Sequence, residues 1–138
     1  MYNYKTVFYT LGTLQIVLGV FMLIPVIIQL IYSELDSGFV SASIITIIFG
    51  ILFFLSNLDH DRNIDLPQAF ILTALSWLSI AIFGSLPFIF SELSLSFTDA
   101  FFESMSGITT TGSTILTDIN NAPKGILLWR AILQWLGG

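Results

Sequence analysis

The chain has no cysteine, a single histidine and only four lysine and arginine residues among 138. Without cysteine there is neither a disulfide framework nor a thiolate metal site, and one isolated imidazole does not make a zinc centre. No cofactor is therefore expected. The basic residues are scattered and the formal net charge is -5, so no basic patch exists to track a phosphate backbone and nucleic acid is excluded as a partner. Charge of either sign is scarce, at 9% of the residues against about 25% in soluble domains. What fills the chain instead is apolar: 55% is hydrophobic and the mean hydropathy is +0.91. Such a composition belongs in a lipid bilayer, and the expected fold class is an all-α polytopic membrane protein.

An ionised side chain at the bilayer centre costs about 2.5 to 3.5 kcal/mol or more, so windows free of charge locate the spans. There are 28 uncharged residues between Lys5 and Glu34, 22 between Asp36 and Asp59, and 26 between Asp65 and Glu92. Each exceeds the roughly 20 residues that carry a helix across about 30 Å of hydrocarbon. The first window is too long for a cleavable signal peptide and lacks a small-x-small exit. Pro25 inside it should kink the helix, because proline removes a backbone donor and clashes with the preceding turn. The third window opens on Asp65-Leu66-Pro67-Gln68, a capping pattern with proline in the first turn, and closes near Pro87 and Ser91-Glu92. The connection 57–65, NLDHDRNID, reads as an aqueous loop with His60 solvated in it. Lys5 and Arg62 on one side against Lys124 and Arg130 on the other give no orientation by the positive-inside rule.

After Glu92 the pattern changes. Ser96 with Asp99 three residues later resembles a capping box and Gly107 is a natural stop, so a helix is expected over 98–106, about 13 Å long. A helix that short cannot span; it lies at the surface, or it enters the membrane and returns. Behind it comes SGITTTGSTIL at 106–116, the longest uncharged polar run in the chain. Such a run is either an ordinary loop or backbone that lines a water-filled cavity, the only setting in which irregular structure is tolerated at membrane depth. In the second case the helix points the negative end of its dipole at a cation, and carbonyls of an extended segment replace that cation's hydration shell. Thr109, Thr110 and Thr111 are β-branched and favour extended backbone; Gly112 permits angles other residues resist. The stretch 110–114 matches the TVGYG filter of potassium channels at its first and third positions, with Thr114 where the second glycine would stand. Asp99 reads as a cap. Glu103 reads as an acid that either hydrogen-bonds the backbone behind the run or concentrates cations, and Phe101-Phe102 as packing.

From Asp99 to Thr114, DAFFESMSGITTTGST, together with Trp129-Arg130 and QWLGG at 134–138, the chain resembles the first pore region of the TrkH/KtrB potassium-uptake family, in which a single-glycine filter is usual. The resemblance implies a two-helix N-terminal extension over 1–64. A repeat follows over 65–138: helix, re-entrant pore helix, extended selectivity-filter segment, helix. It implies potassium ligation by carbonyls of Thr110 and Thr111, with Thr109, Gly112, Ser113, Thr114 and Glu103 supporting the filter. It also implies potassium uptake across a prokaryotic inner membrane with the N-terminus cytoplasmic, a dimeric transport subunit, and a cytosolic nucleotide-binding regulatory partner of the TrkA/KtrA kind. No covalent chemistry is expected, since no serine has a base at a telling spacing.

From Gly125 onward 14 residues remain, which as a helix reach about 21 Å, so the last helix is expected to be incomplete. One filter segment is present where a cage of the channel kind takes four. Either four copies assemble as a homotetrameric channel, or the remainder of the transporter chain is missing. The resemblance implies the latter, with this sequence as the N-terminal quarter or third of a four-repeat transporter. A non-transporting helical scaffold, with the polar run as a plain loop, is the alternative of a different kind.

Overall fold

The three charge-free windows fold as three apolar helical segments long enough to cross a bilayer: Lys5–Ile31, Gly38–Ser56 and Leu66–Phe90. The structure is a computed structural model that describes residues 4–34, 36–61 and 63–138, so Arg62, counted above for orientation, lies outside the described residues. In chain order the elements are α1 (Lys5–Phe21), α2 (Leu23–Ile31), α3 (Gly38–Ser56), α4 (Leu66–Phe90), α5 (Phe97–Ile108), a 3-10 turn (Ile119–Asn121) and α6 (Lys124–Gly137). Among the described residues there is no strand.

The first span is broken where proline requires it. Pro25 has no N–H for the carbonyl of Phe21, and the helix is interrupted at Met22. α4 starts as its sequence indicates: Gln68 Oε1 accepts the Asp65 N–H at 3.3 Å in a capping box. Pro87 lies inside this helix, which ends at Phe90.

Close packing of small residues holds α1 on α3. A Cβ added at Gly12 would stand 2.6 Å from the Phe54 nitrogen and 2.7 Å from the Gly50 oxygen, so the two backbones touch. Ser43 Oγ reinforces the contact by donating to the Gly19 carbonyl at 2.7 Å. In lipid, where apolar side chains gain little by leaving their solvent, such contacts are what binds helices. A buried cluster including Phe39, Phe88, Ala100, Ile126, Trp129 and Leu133 joins the spans to α5 and α6. Trp129 crosses Phe39 edge-on, with centroids 6.1 Å apart, and its indole donates to the Gly84 carbonyl at 2.9 Å.

The connections pair off at opposite ends of the bundle. At one end Thr6 Oγ1 donates to the Asp61 carbonyl at 2.8 Å, and His60, expected to be solvated, stacks on Tyr9 with ring centroids 3.8 Å apart. At the other, Asp36 accepts the Gly38 N–H at 2.8 Å and the Glu92 N–H at 3.2 Å. Glu34 there accepts the N–H groups of Lys124 and Gly125 at 2.7 and 3.3 Å. An acid from the α2–α3 connection thus caps the start of α6, where four N–H groups lack helical partners and a negative charge is favoured.

Candidate functional site

α5 is set off by Ser96, whose Oγ accepts the Asp99 N–H at 3.2 Å. It runs for 12 residues, about 18 Å, and is too short to span. Gly107 does not stop it. A Cβ there would meet Leu133 Cβ at 2.9 Å, so this glycine lets α6 approach, and the helix continues to Ile108. It ends one residue later in a Schellman motif, in which Thr110 N–H reaches the Gly107 carbonyl at 2.9 Å and Thr111 N–H the Ser106 carbonyl at 3.0 Å.

The ending corrects the expectation of an extended run through all three threonines. Thr109 is helical, at φ -79 and ψ 0, and Thr110 has φ 58, the left-handed position that normally falls to glycine. For a β-branched residue that conformation costs about 1 to 2 kcal/mol. The two N–H bonds of the motif are what hold it. Beyond Thr110, residues 111–116 are in neither helix nor strand, and Gly112 has φ 77.

Side chains of α5 hold this returning segment from behind. Ser106 Oγ donates to the Ser113 carbonyl at 2.6 Å. Glu103, only 1% exposed, accepts on Oε1 from Thr114 Oγ1 at 2.5 Å and from the Ile115 N–H at 2.6 Å. Its Oε2 takes Arg130 Nε from α6 at 3.0 Å. A buried carboxylate is tolerated when its oxygens are filled and a counter-charge stands beside it, and Glu103 meets both conditions. Leu116 N–H closes the turn on Thr114 Oγ1 at 3.0 Å.

The role of Arg130 was missed in the sequence, where it counted as a charge on the same side as Lys124. Its side chain is 15% exposed and committed to Glu103. The available signal was an acid in a short helix and a base in the second turn of the next one, each amid uncharged residues, which in lipid calls for a partner.

The front of the segment differs from its back. Thr109, Thr110, Thr111, Gly112 and Ser113 are exposed, and among the described residues nothing donates to the carbonyls of Thr110, Thr111 and Gly112. Uncharged oxygens on a fixed backbone are the donors a hard cation takes. α5 turns Ala100, Glu103, Ser104 and Gly107 inward, one face at helical spacing, and leaves Phe102 44% exposed, while Phe101 is half-buried beside Phe97 with ring centroids 5.9 Å apart. A Cβ at Gly84 would lie 2.6 Å from Ser104 Oγ; that glycine seats α5 against α4. No group of three or more His, Cys, Asp or Glu residues among the described residues is placed to hold a metal ion.

The chain matches the family model TrkH, described as a cation transport protein, over residues 35–138. It is 43% identical over 129 residues to the Trk system potassium uptake protein TrkI of Halomonas elongata, covering 93% of this chain and 26% of that protein. The Trk system potassium uptake protein TrkH of Escherichia coli is 35% identical over 138 residues, covering 99% of this chain and 29% of the relative. In three dimensions the chain is similar to the crystal structure of the potassium transporter TrkH from Vibrio parahaemolyticus, with a TM-score of 0.94 at 32% identity, over 99% of this chain and 30% of that one. The chain thus spans between a quarter and a third of the length of the proteins it matches.

Proposed function

The chain belongs to the TrkH family of cation transport proteins, and on that premise we propose that it supplies one of four walls of the selectivity filter in a potassium-uptake transporter. α5 is the re-entrant pore helix, and the segment after it faces the ion. The carbonyls of Thr110 and Thr111 ligate potassium, Gly112 turns the backbone so that successive oxygens share one side, and Thr109, Ser113, Thr114 and Glu103 hold that geometry. Residues 1–64 form an N-terminal two-helix extension and 65–138 the first helix, pore-helix, filter, helix repeat. The N-terminus is cytoplasmic, and the membrane is a prokaryotic inner membrane. The whole transporter is a dimer regulated by a cytosolic TrkA/KtrA-like nucleotide-binding subunit.

One observation supports this reading above the others. A polar segment with unpaired carbonyls on its open side is tied from behind to a buried acid, Glu103, that is itself neutralised by Arg130. A plain connecting loop has no need of that backing. Ions are passed along by exchange of water for carbonyl oxygen, and no bond is made or broken.

Complementation tests it. The full-length gene should restore growth of a potassium-uptake-deficient strain at low potassium, and Gly112→Asp should abolish that growth while leaving the protein in the membrane. The substitution places a carboxylate beside the ligating oxygens and forces φ 77 on a residue with a Cβ. Growth of the mutant equal to wild type would contradict the filter assignment.

A further inference from the structure

The last carbonyls of a helix have no helical partner and must be satisfied by other means. At the end of α5 three of the last four are. Met105 accepts the Thr109 N–H, Ser106 those of Thr111 and Gly112, and Gly107 that of Thr110. The Ile108 carbonyl accepts from no donor among the described residues, although this residue is 3% exposed. An unpaired buried carbonyl is costly, and this one stands directly before the threonines whose oxygens face the ion.

The last turn of α6 covers it. A Cβ added at Gly137 would overlap the Ile108 oxygen, so that oxygen rests on the bare Cα, whose C–H groups are weak donors. Any other residue at 137 would have to push the two helices apart. One helical turn earlier, on the same face of α6, Leu133 stands 2.9 Å from where a Cβ of Gly107 would be. One residue later, a Cβ at Gly138 would lie 3.6 Å from Thr110 Cγ2. The end of α6 therefore meets the chain on both sides of Thr109, where α5 gives way to the left-handed turn.

We propose that Gly137 is a positioning residue of the filter. Its bare Cα closes over the Ile108 carbonyl, which fixes the turn into Thr110 and Thr111 and withholds that oxygen from the ion. The number and direction of the oxygens offered to a cation set the choice between potassium and sodium, so the preference for potassium depends on this contact. The proposal rests on the reading of the chain as part of a potassium transporter.

The test is the ratio of potassium to sodium flux in proteoliposomes of the full-length transporter. Gly137→Ala should lower that ratio about threefold to tenfold, the range for a residue that acts on a site through another. Gly138→Ala is the same chemical change one residue on, where a Cβ meets nothing closer than the Gln134 oxygen at 3.3 Å, and it should keep the ratio within about twofold. A merely structural role would reduce the amount of folded protein and leave the ratio of the folded fraction unchanged. A wild-type ratio in folded Gly137→Ala overturns the proposal, even where Gly112→Asp abolishes uptake and so upholds the filter. An equal loss in Gly138→Ala also overturns it, since the contact would then not be the cause. If Gly137→Ala does not fold, Leu133→Val decides: it loosens the same packing by one methylene and should lower the ratio about twofold, and an unchanged ratio overturns the proposal.

Discussion

Thr110 carries a left-handed backbone on a β-branched side chain, at the point where the proposed ligating oxygens begin. Glycine at that position relieves a strain of about 1 to 2 kcal/mol and gives back about 0.5 to 1 kcal/mol in unfolded-chain entropy. Thr110→Gly should therefore raise the unfolding temperature in detergent slightly; a clear fall would show that the conformation is not strained. The Glu103–Arg130 pair lends itself to a double-mutant cycle. Arg130→Leu alone leaves Glu103 buried without its counter-charge and should cost about 3 to 5 kcal/mol. Adding Glu103→Leu should recover part of that loss in stability but not restore uptake, because Thr114 and Ile115 lose their acceptor. Additive losses would show that the two do not act as a unit. At this scale the sequence was half legible. Glu103 stood out as an acid beside a polar run, whereas the left-handed turn at Thr110 did not, because threonine is the wrong residue for it by local preference and only the two N–H bonds back to α5 impose it.

At the scale of elements, α5 buries its small and polar face and exposes Phe97 and Phe102, the reverse of a helix on a soluble core. Its seat against α4 depends on Gly84, where an added methyl would meet Ser104 Oγ at 2.6 Å. Gly84→Ala should displace α5 and lower uptake severalfold in the full-length protein. Ser104→Ala removes a buried hydroxyl that has no hydrogen-bond partner and should be nearly neutral alone. Combined, the two should recover much of the lost uptake, and a double mutant no better than Gly84→Ala alone would show that the contact does not govern the site. The cap at Ser96 could be read from spacing, since it is local. The end of α5 could not, because Gly107 signals a stop in isolation and becomes a packing contact only once Leu133 of α6 is in place.

For the whole molecule, the spans were legible because charge is excluded from the bilayer centre, and the windows bounded by Lys5, Glu34, Asp36, Asp59, Asp65 and Glu92 match the long helices to within a few residues. What joins them was not. Glu34 capping α6 is a contact across 90 positions in sequence, and no periodicity announces it. That contact and the Arg130–Glu103 pair tie the N-terminal helices to α6 and to the segment that follows α5. The direct test is a crystal of the full-length transporter grown in rubidium, viewed by its anomalous scattering. A rubidium peak is expected on the pore axis, coordinated by the main-chain oxygens of Thr110 and Thr111. Rubidium bound elsewhere on the axis, with those two carbonyls turned toward lipid or bulk water, would contradict it.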